Sequence, residues 1–112
     1  MASAQQIETG GAEPAAEISE DDLFDVLANQ RRRFAVHLLK REPDDAVEIG
    51  EMAEQIAAWE NGIDTAEISS SERKRVYTAL QQSHLPKMDD AGVVEFNKAR
   101  GVVEPTPALT DV

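Results

Sequence analysis

The chain has 112 residues, with 22 acidic and 11 basic side chains and a formal net charge of −11. This length suits one domain with a modest core. The sequence contains no cysteine and only two histidines, so we expect no disulfide, no metal site and no bound cofactor. No apolar run approaches the roughly 20 residues that cross a bilayer, and no secretory signal is visible. We therefore predict a cytoplasmic protein without a membrane partner.

The charge is unevenly distributed along the chain. Residues 70–101 carry six bases and four acids, a net charge of +2, whereas the rest carries five bases and 18 acids, a net charge of −13. The four lysines are also few beside 22 acids. This composition favours a halophilic, acidic protein from a cytoplasm with molar salt, where the Debye length is about 3 Å and self-repulsion is weak. The alternative is an acidic low-salt protein with an acidic tail.

The first third of the chain predicts a tail followed by two helices. Residues 1–18 are small, polar and aperiodic, which is typical of a disordered tail. Ser19 is a good N-cap for a first helix, and a second helix starts around Gln30. Arginines 31–33 open that second helix against the preference of its dipole. We favour pairing with the acids at 20–25 as the explanation, and contact with phosphate is the alternative.

The middle of the chain predicts a short strand, a helix and a long turn. Residues 47–49 can form the strand, and Gly50 begins a third helix that ends near Gly62. Trp59 is expected in the core or at an interface. The acidic connection 63–69 is longer than a compact helix–turn–helix needs, and one of its two isoleucines should pack inward.

A central helix is predicted over about 71–84, capped by Ser70 or Ser71. Its inward side is expected to hold Val76, Ala79, Leu80 and Ser83. The outward side then carries Lys74, Thr78, Gln81 and Gln82, with Arg73 and Arg75 beside it. Lysine and arginine suit phosphate or guanine, glutamine suits adenine, and a threonine methyl suits thymine. An ordinary solvated helix face is the alternative interpretation.

A proline bend and a hairpin follow the central helix. Pro86 should kink or end the helix, after which Leu85 and Met88 can both reach the core. Gly92 is the expected C-cap. Residues 93–104 then read as two strands around a basic turn. Lys98 and Arg100 lie at the tip of this hairpin, where they could meet DNA phosphate. The domain is predicted over 19–107, with a C-terminal tail at 108–112.

Several segments resemble known families. LFDVLANQRRRFAVHLL and LPKMDDAGVVEF are similar to the opening helices and the recognition-helix end of winged helix-turn-helix regulators of the ArsR and MarR type. Together with EMAEQIAAWENG and RGVVEPTP, they resemble more closely a haloarchaeal winged helix-turn-helix domain family over roughly residues 20–107. The cysteines and histidine clusters of metal-sensing ArsR proteins are missing, so metal sensing is not carried over.

The resemblance implies a mainly α fold with a small β-hairpin, and a transcriptional regulator that binds double-stranded DNA as a homodimer. Leu23, Phe24 and Phe34 are candidate dimer-interface residues. An enzyme is not expected, because no nucleophile–base pair, phosphate loop or metal spacing is present. The alternative function is a protein-interaction module on the same scaffold without DNA binding. The predicted DNA-binding residues are Arg73, Lys74, Arg75, Thr78, Gln81, Gln82, Lys98 and Arg100.

Overall fold

The structure is a computed structural model, and it describes residues 18–41 and 45–110. It is mainly helical with one small antiparallel sheet. Most of the expected N-terminal tail lies outside the described residues, as do 42–44 and 111–112. Ile18, the last residue of that expected tail, packs against the core. The elements are α1 (Glu20–Leu27), α2 (Gln30–Arg41), β1 (Val47–Glu48), α3 (Ile49–Asn61), a 3₁₀ turn (Thr65–Glu67), α4 (Ser70–Ala79), a π-helical turn (Leu80–His84), α5 (Leu85–Asp90), β2 (Val94–Asn97), β3 (Val102–Pro105) and α6 (Pro107–Thr110).

Short polar side chains begin the first two helices. The Ser19 hydroxyl accepts a hydrogen bond from the Asp22 amide at 3.1 Å, which confirms the predicted N-cap of α1. The Asn29 side chain accepts from the amides of Arg31 and Arg32 at 2.8 and 3.3 Å. Asn29 therefore caps α2, whereas the sequence pattern indicated only that it ends α1.

The sheet has the strand order β1-β3-β2, and both pairings are antiparallel. Val103 in the central strand β3 lies opposite Val47 on one side and Phe96 on the other. A two-stranded hairpin is only marginally stable alone, so the third strand and the packed helices support it. The amide of Ile49 donates to the carbonyl of Gly101 at 3.0 Å, which ties the hairpin turn to the start of α3. That helix begins at Ile49, one residue before the predicted start.

One core joins the helices and the sheet. Its largest fully buried side chains include Leu39, Ile49, Met52, Ile56, Leu80, Leu85, Met88 and Leu109. In the long connection before α4, Ile68 packs against this core while Ile63 stays partly exposed. Ala108 and Leu109 in α6 are also buried. The packed region therefore continues to Thr110, past the expected boundary at 107.

The cap of α4 is Ser69, so the prediction of Ser70 or Ser71 was wrong. The Ser69 hydroxyl accepts from the Glu72 amide at 3.1 Å, and the Glu72 carboxylate accepts from the Ser69 amide at 3.1 Å. This reciprocal capping box satisfies two amides that a helix start otherwise leaves unpaired. The helix consequently begins at Ser70.

Pro86 does not end the helix. In a regular α-helix its ring would clash with the carbonyl of Gln82, but the chain widens there into the π-helical turn and continues as α5. The Leu85 amide donates to the Leu80 carbonyl five residues back. Leu85 and Met88 are both buried, as predicted.

The π-helical turn also changes which side chains face inward. Ser83 is exposed and His84 is buried, so the inward placement predicted for Ser83 was wrong. The prediction assumed 100° per residue throughout, whereas a π-helical turn holds more residues per turn.

Gly92 ends α5 as predicted. Its φ is +84°, a conformation that glycine adopts without steric cost. The amide of Val93 donates to the carbonyl of Met88 at 3.0 Å. Val93 itself is buried, and the strand begins one residue later, at Val94.

Candidate nucleic-acid interface

The exposed side of α4 brings together part of the predicted DNA-binding set. Lys74 is exposed, and Thr78 and Gln81 are half-buried. These three side chains line a groove between α4 and the beginning of α3, which we call the α4 groove. Its lining includes Gly50, Arg73, Lys74, Tyr77, Thr78 and Gln81. Among the described residues, no acidic side chain lines this groove.

Gln82 lies in a different recess, between α1 and α5. Its neighbours there include Asp22, Asp25, Lys87 and Asp90. The π-helical turn separates it from Gln81, although the two residues are adjacent in sequence. The sequence prediction grouped both glutamines on one reading face, and the structure brings only Gln81 next to Lys74 and Thr78.

The basic side chains of α4 differ in their surroundings. The Arg73 guanidinium pairs with Glu54 of α3 at 2.9 Å between Nη1 and Oε2, and both side chains are substantially exposed. Lys74 and Arg75 are exposed and form no ion pair with the other described residues. Hydrogen bonds from Ser69 hold the pKa of Glu72 below its ordinary range, and the charge of Arg75 contributes in the same direction.

The hairpin tip presents its two predicted bases to solvent. Lys98 and Arg100 are exposed, and the Arg100 amide donates to the Asn97 side chain at 3.0 Å. Gly101 has a φ of +70° and closes the turn. Glu95 and Glu104 line the same shallow recess as these bases. The hairpin tip is therefore less uniformly basic than the α4 groove.

The three arginines at the start of α2 bind different partners from those expected. Arg31 pairs with Glu60 of α3 at 2.5 Å between Nε and Oε2. Arg32 is only 8% exposed, and it donates through Nε to the carbonyl of Val26 and through Nη2 to that of Asp25, both at 2.9 Å. Arg33 donates to the carbonyl of Leu27 at 2.6 Å.

Two of these arginines therefore bind backbone carbonyls at the C-terminal end of α1. Cations are favoured there because those carbonyls lack helical partners and carry the negative end of the helix dipole. The expected pairing with carboxylates at 20–25 is not what the structure places there. The Asp25 carboxylate pairs instead with Lys87 of α5 at 2.6 Å, and Lys87 holds the pKa of Asp25 below its ordinary range.

His84 completes the surroundings of Arg32. Its Nδ1 lies 3.2 Å from Nη1 of Arg32. A guanidinium can only donate, so Nδ1 accepts and the imidazole is neutral with its proton on Nε2. Burial lowers the pKa of His84, and the charges of Arg32 and Arg31 lower it further. Periodicity placed His84 beside the buried stripe but gave no signal for this contact.

Aromatic side chains form part of a separate surface on the helices. Phe34 of α2 stacks on Trp59 of α3, with ring centroids 4.9 Å apart. Trp59 is 47% exposed and Phe24 of α1 is 68% exposed. Of the predicted interface residues, Phe24 is thus the most accessible, while Leu23 and Phe34 are half-buried. Trp59 lies at the surface rather than in the core.

Two further searches cover only residues 18–41 and 45–110. No group of histidine and acidic side chains in this part of the chain could hold a metal ion. No helix within it is long and apolar enough to cross a membrane.

The fold and surface define a small, mainly helical domain with a three-stranded antiparallel sheet and an acid-free groove on α4. A family model described as "Domain of unknown function (DUF7344)" matches residues 24–104. The chain therefore belongs to this family. Comparison with curated proteins and with solved structures found no match.

Proposed function

We propose that this protein is a winged helix-turn-helix regulator that binds double-stranded DNA. In this proposal α3 and α4 are the helix–turn–helix pair, α4 is the recognition helix and the β2–β3 hairpin is the wing. The observation that carries the proposal is the α4 groove, which lacks acidic side chains among the described residues of a protein with a net charge of −11. Phosphate repels carboxylates and attracts lysine and arginine, so the groove is the surface best suited to a nucleic acid.

The start of α3 adds to this proposal. Gly50 lies in the first turn of α3 and lines the α4 groove. The N-cap residue, Glu48, forms no side-chain capping bond with the described residues. The unpaired amides of a helix N-terminus favour a phosphate. A backbone phosphate at this point would bring base edges near Lys74, Thr78 and Gln81.

The test compares two adjacent glutamines. Double-stranded DNA is selected from a random-sequence pool and, separately, taken from upstream of the gene, and binding is measured by fluorescence anisotropy at high potassium chloride. We expect Gln81→Ala to weaken binding to the selected site by about 1–3 kcal/mol, the range of a good base contact. Gln82→Ala is the matched control, and it should bind like the wild type.

Lys74→Ala should weaken binding and reduce the slope of log affinity against log salt by about one, since one phosphate contact is lost. Absence of any selected sequence would overturn the proposed function. Equal effects of the two glutamine variants would overturn the assignment of the groove as the reading surface.

We also propose that the regulator is a homodimer, because such folds bind paired half-sites. The exposed Phe24 and the Phe34–Trp59 stack support a self-association surface, since large exposed aromatics mark interaction sites. Phe24→Ser should shift sedimentation from dimer to monomer, whereas Phe96→Ser on the hairpin should not. A wild-type monomer at micromolar concentration would contradict this proposal.

The acid excess and the same aromatic surface favour one alternative, a protein-interaction module that does not bind DNA. It predicts a stable protein partner that is lost in Phe24→Ser, and no protected DNA site. Low lysine content further supports a halophilic protein, for which the free energy of unfolding should rise from low to molar potassium chloride.

A further inference from the structure

The contact between Arg32 and His84 joins the two halves of the helical domain. Arg32 belongs to α2, and through its two carbonyl bonds it also holds the end of α1. His84 is the last residue of the π-helical turn that connects α4 to α5. Both side chains are 8% exposed. The recognition helix is thus connected to α1 and α2 through one buried contact that contains a titratable acceptor.

The acceptor role of His84 exists only in its neutral form. Protonation would place a hydrogen on Nδ1, which would then face the Arg32 Nη1 donor at 3.2 Å. The contact would change from a hydrogen bond into two cations side by side in a buried place. Such an arrangement is costly because neither charge is hydrated or neutralised.

The other charged groups around this contact do not compensate for a second cation. Arg31 of α2 adds a further positive charge near His84, and Glu60 of α3 acts in the opposite direction but is already paired with Arg31. On the far side of Arg32, the carboxylate of Asp25 in α1 is paired with Lys87 of α5. Each nearby carboxylate therefore already has a cation as its partner.

We propose that the His84–Arg32 contact is a proton-sensitive joint that releases the π-helical turn, and with it α4, when the imidazole is protonated. A π-helical turn is a suitable element for such a release, because it can return to α geometry by a slip of one residue. The joint itself does not depend on DNA binding. Its effect on DNA rests on the proposed function.

The sign of the pH dependence follows from the pKa of His84. Burial and the two arginines lower it in the folded state below the ordinary value of about 6.5. The unfolded chain then binds a proton at a higher pH than the folded chain does. Stability is fully present above about pH 6.5 and is lost as the pH falls below that value. One proton changes the equilibrium by at most about tenfold per pH unit.

The first test needs no variant. Nitrogen-15 NMR of the two imidazoles should show His84 with its proton on Nε2 and a midpoint below that of the exposed His37. A His84 midpoint at or above that of His37, or a proton on Nδ1 at neutral pH, would overturn the proposal. This measurement is made on the full chain without DNA, so it is independent of the proposed function.

The second test uses His84→Asn, whose side-chain oxygen can accept from Arg32 but does not titrate. Between about pH 7.5 and pH 5.5, the wild-type folding equilibrium constant should fall relative to that of His84→Asn. The control His37→Asn should keep the wild-type pH profile. Identical profiles for wild type and His84→Asn would overturn the joint. If His84→Asn does not fold, the NMR measurement decides alone.

The DNA arm follows the same comparison. The dissociation constant of the wild type, divided by that of His84→Asn, should rise as the pH falls through this range. Acidification alone makes the protein less negative and strengthens binding in both proteins, so the ratio removes that trend. No DNA binding by either protein would contradict the proposed function and leave the joint to be decided by NMR. Binding with a constant ratio would contradict the coupling of the joint to α4.

Discussion

The three arginines that begin α2 allow one substitution to be compared in three environments. Arg31, Arg32 and Arg33 are each changed to Met, which keeps an unbranched apolar stem and removes the donors. Arg32 makes two carbonyl bonds and the contact with His84. Its removal leaves the Val26 carbonyl and the His84 Nδ1 without this donor, while the Asp25 carbonyl keeps a bond from the Ala28 amide at 3.3 Å.

The expected size follows from these partners. Each buried acceptor that loses its partner costs about 1–3 kcal/mol, and removing the guanidinium recovers part of its own desolvation cost. We therefore expect Arg32→Met to lower the free energy of unfolding by about 2–4 kcal/mol. Arg31→Met breaks a largely solvent-facing ion pair and should cost at most about 1 kcal/mol. Arg33→Met loses one bond to an exposed carbonyl and should cost about 0.5–1 kcal/mol.

Urea unfolding at two potassium chloride concentrations measures all three variants. The cost of Arg31→Met should shrink at the higher salt because salt screens its ion pair with Glu60. The cost of Arg32→Met should stay unchanged, since its acceptors are neutral and buried. Costs for the three variants that agree within about 0.5 kcal/mol, the usual range of surface substitutions, would refute the assignment of Arg32 as the structural arginine.

Three further predictions concern stability, each measured by urea unfolding of the full chain. Gly92→Ala should lower the free energy of unfolding by about 1–2 kcal/mol because its φ is +84°, whereas Gly50→Ala, with open space for a Cβ, should leave it unchanged or raise it by up to about 1 kcal/mol; equal effects would contradict the αL cap. Ser69→Ala should cost about 1 kcal/mol, and an unchanged midpoint would contradict the capping box. Leu109→Ala should cost about 2–4 kcal/mol, and a cost near zero would show that α6 is not part of the core.

Local signals predicted much of the fold. Ser19, Gly62 and Gly92 act at the ends of helices as expected, because capping depends on the residue and its immediate neighbours. The helix spans and the hairpin are likewise close to the predicted ranges. The burial of Leu85 and Met88 also followed from the sequence, since Pro86 required a departure from regular α geometry.

The form of that departure could not be predicted. A kink, a helix end and a π-helical turn all accommodate Pro86. The choice depends on what the turn packs against, and the buried His84 and its contact with Arg32 lie 52 positions apart in sequence. The same choice placed Gln81 in the α4 groove and Gln82 in the recess with Asp22 and Asp25. The composition of the candidate site was therefore set by a long-range contact.

The positions of the acids matter more for the DNA proposal than their number. Three carboxylates join different helices through ion pairs: Asp25 to Lys87, Glu54 to Arg73 and Glu60 to Arg31. Lys74 and Arg75 face outward without such pairing among the described residues, beside the groove that those residues line without an acid. A net charge averages over these different surroundings, whereas a bound phosphate responds to the charges within about one Debye length. At molar salt that length is about 3 Å, so the distant acid excess would oppose binding at the α4 groove only weakly.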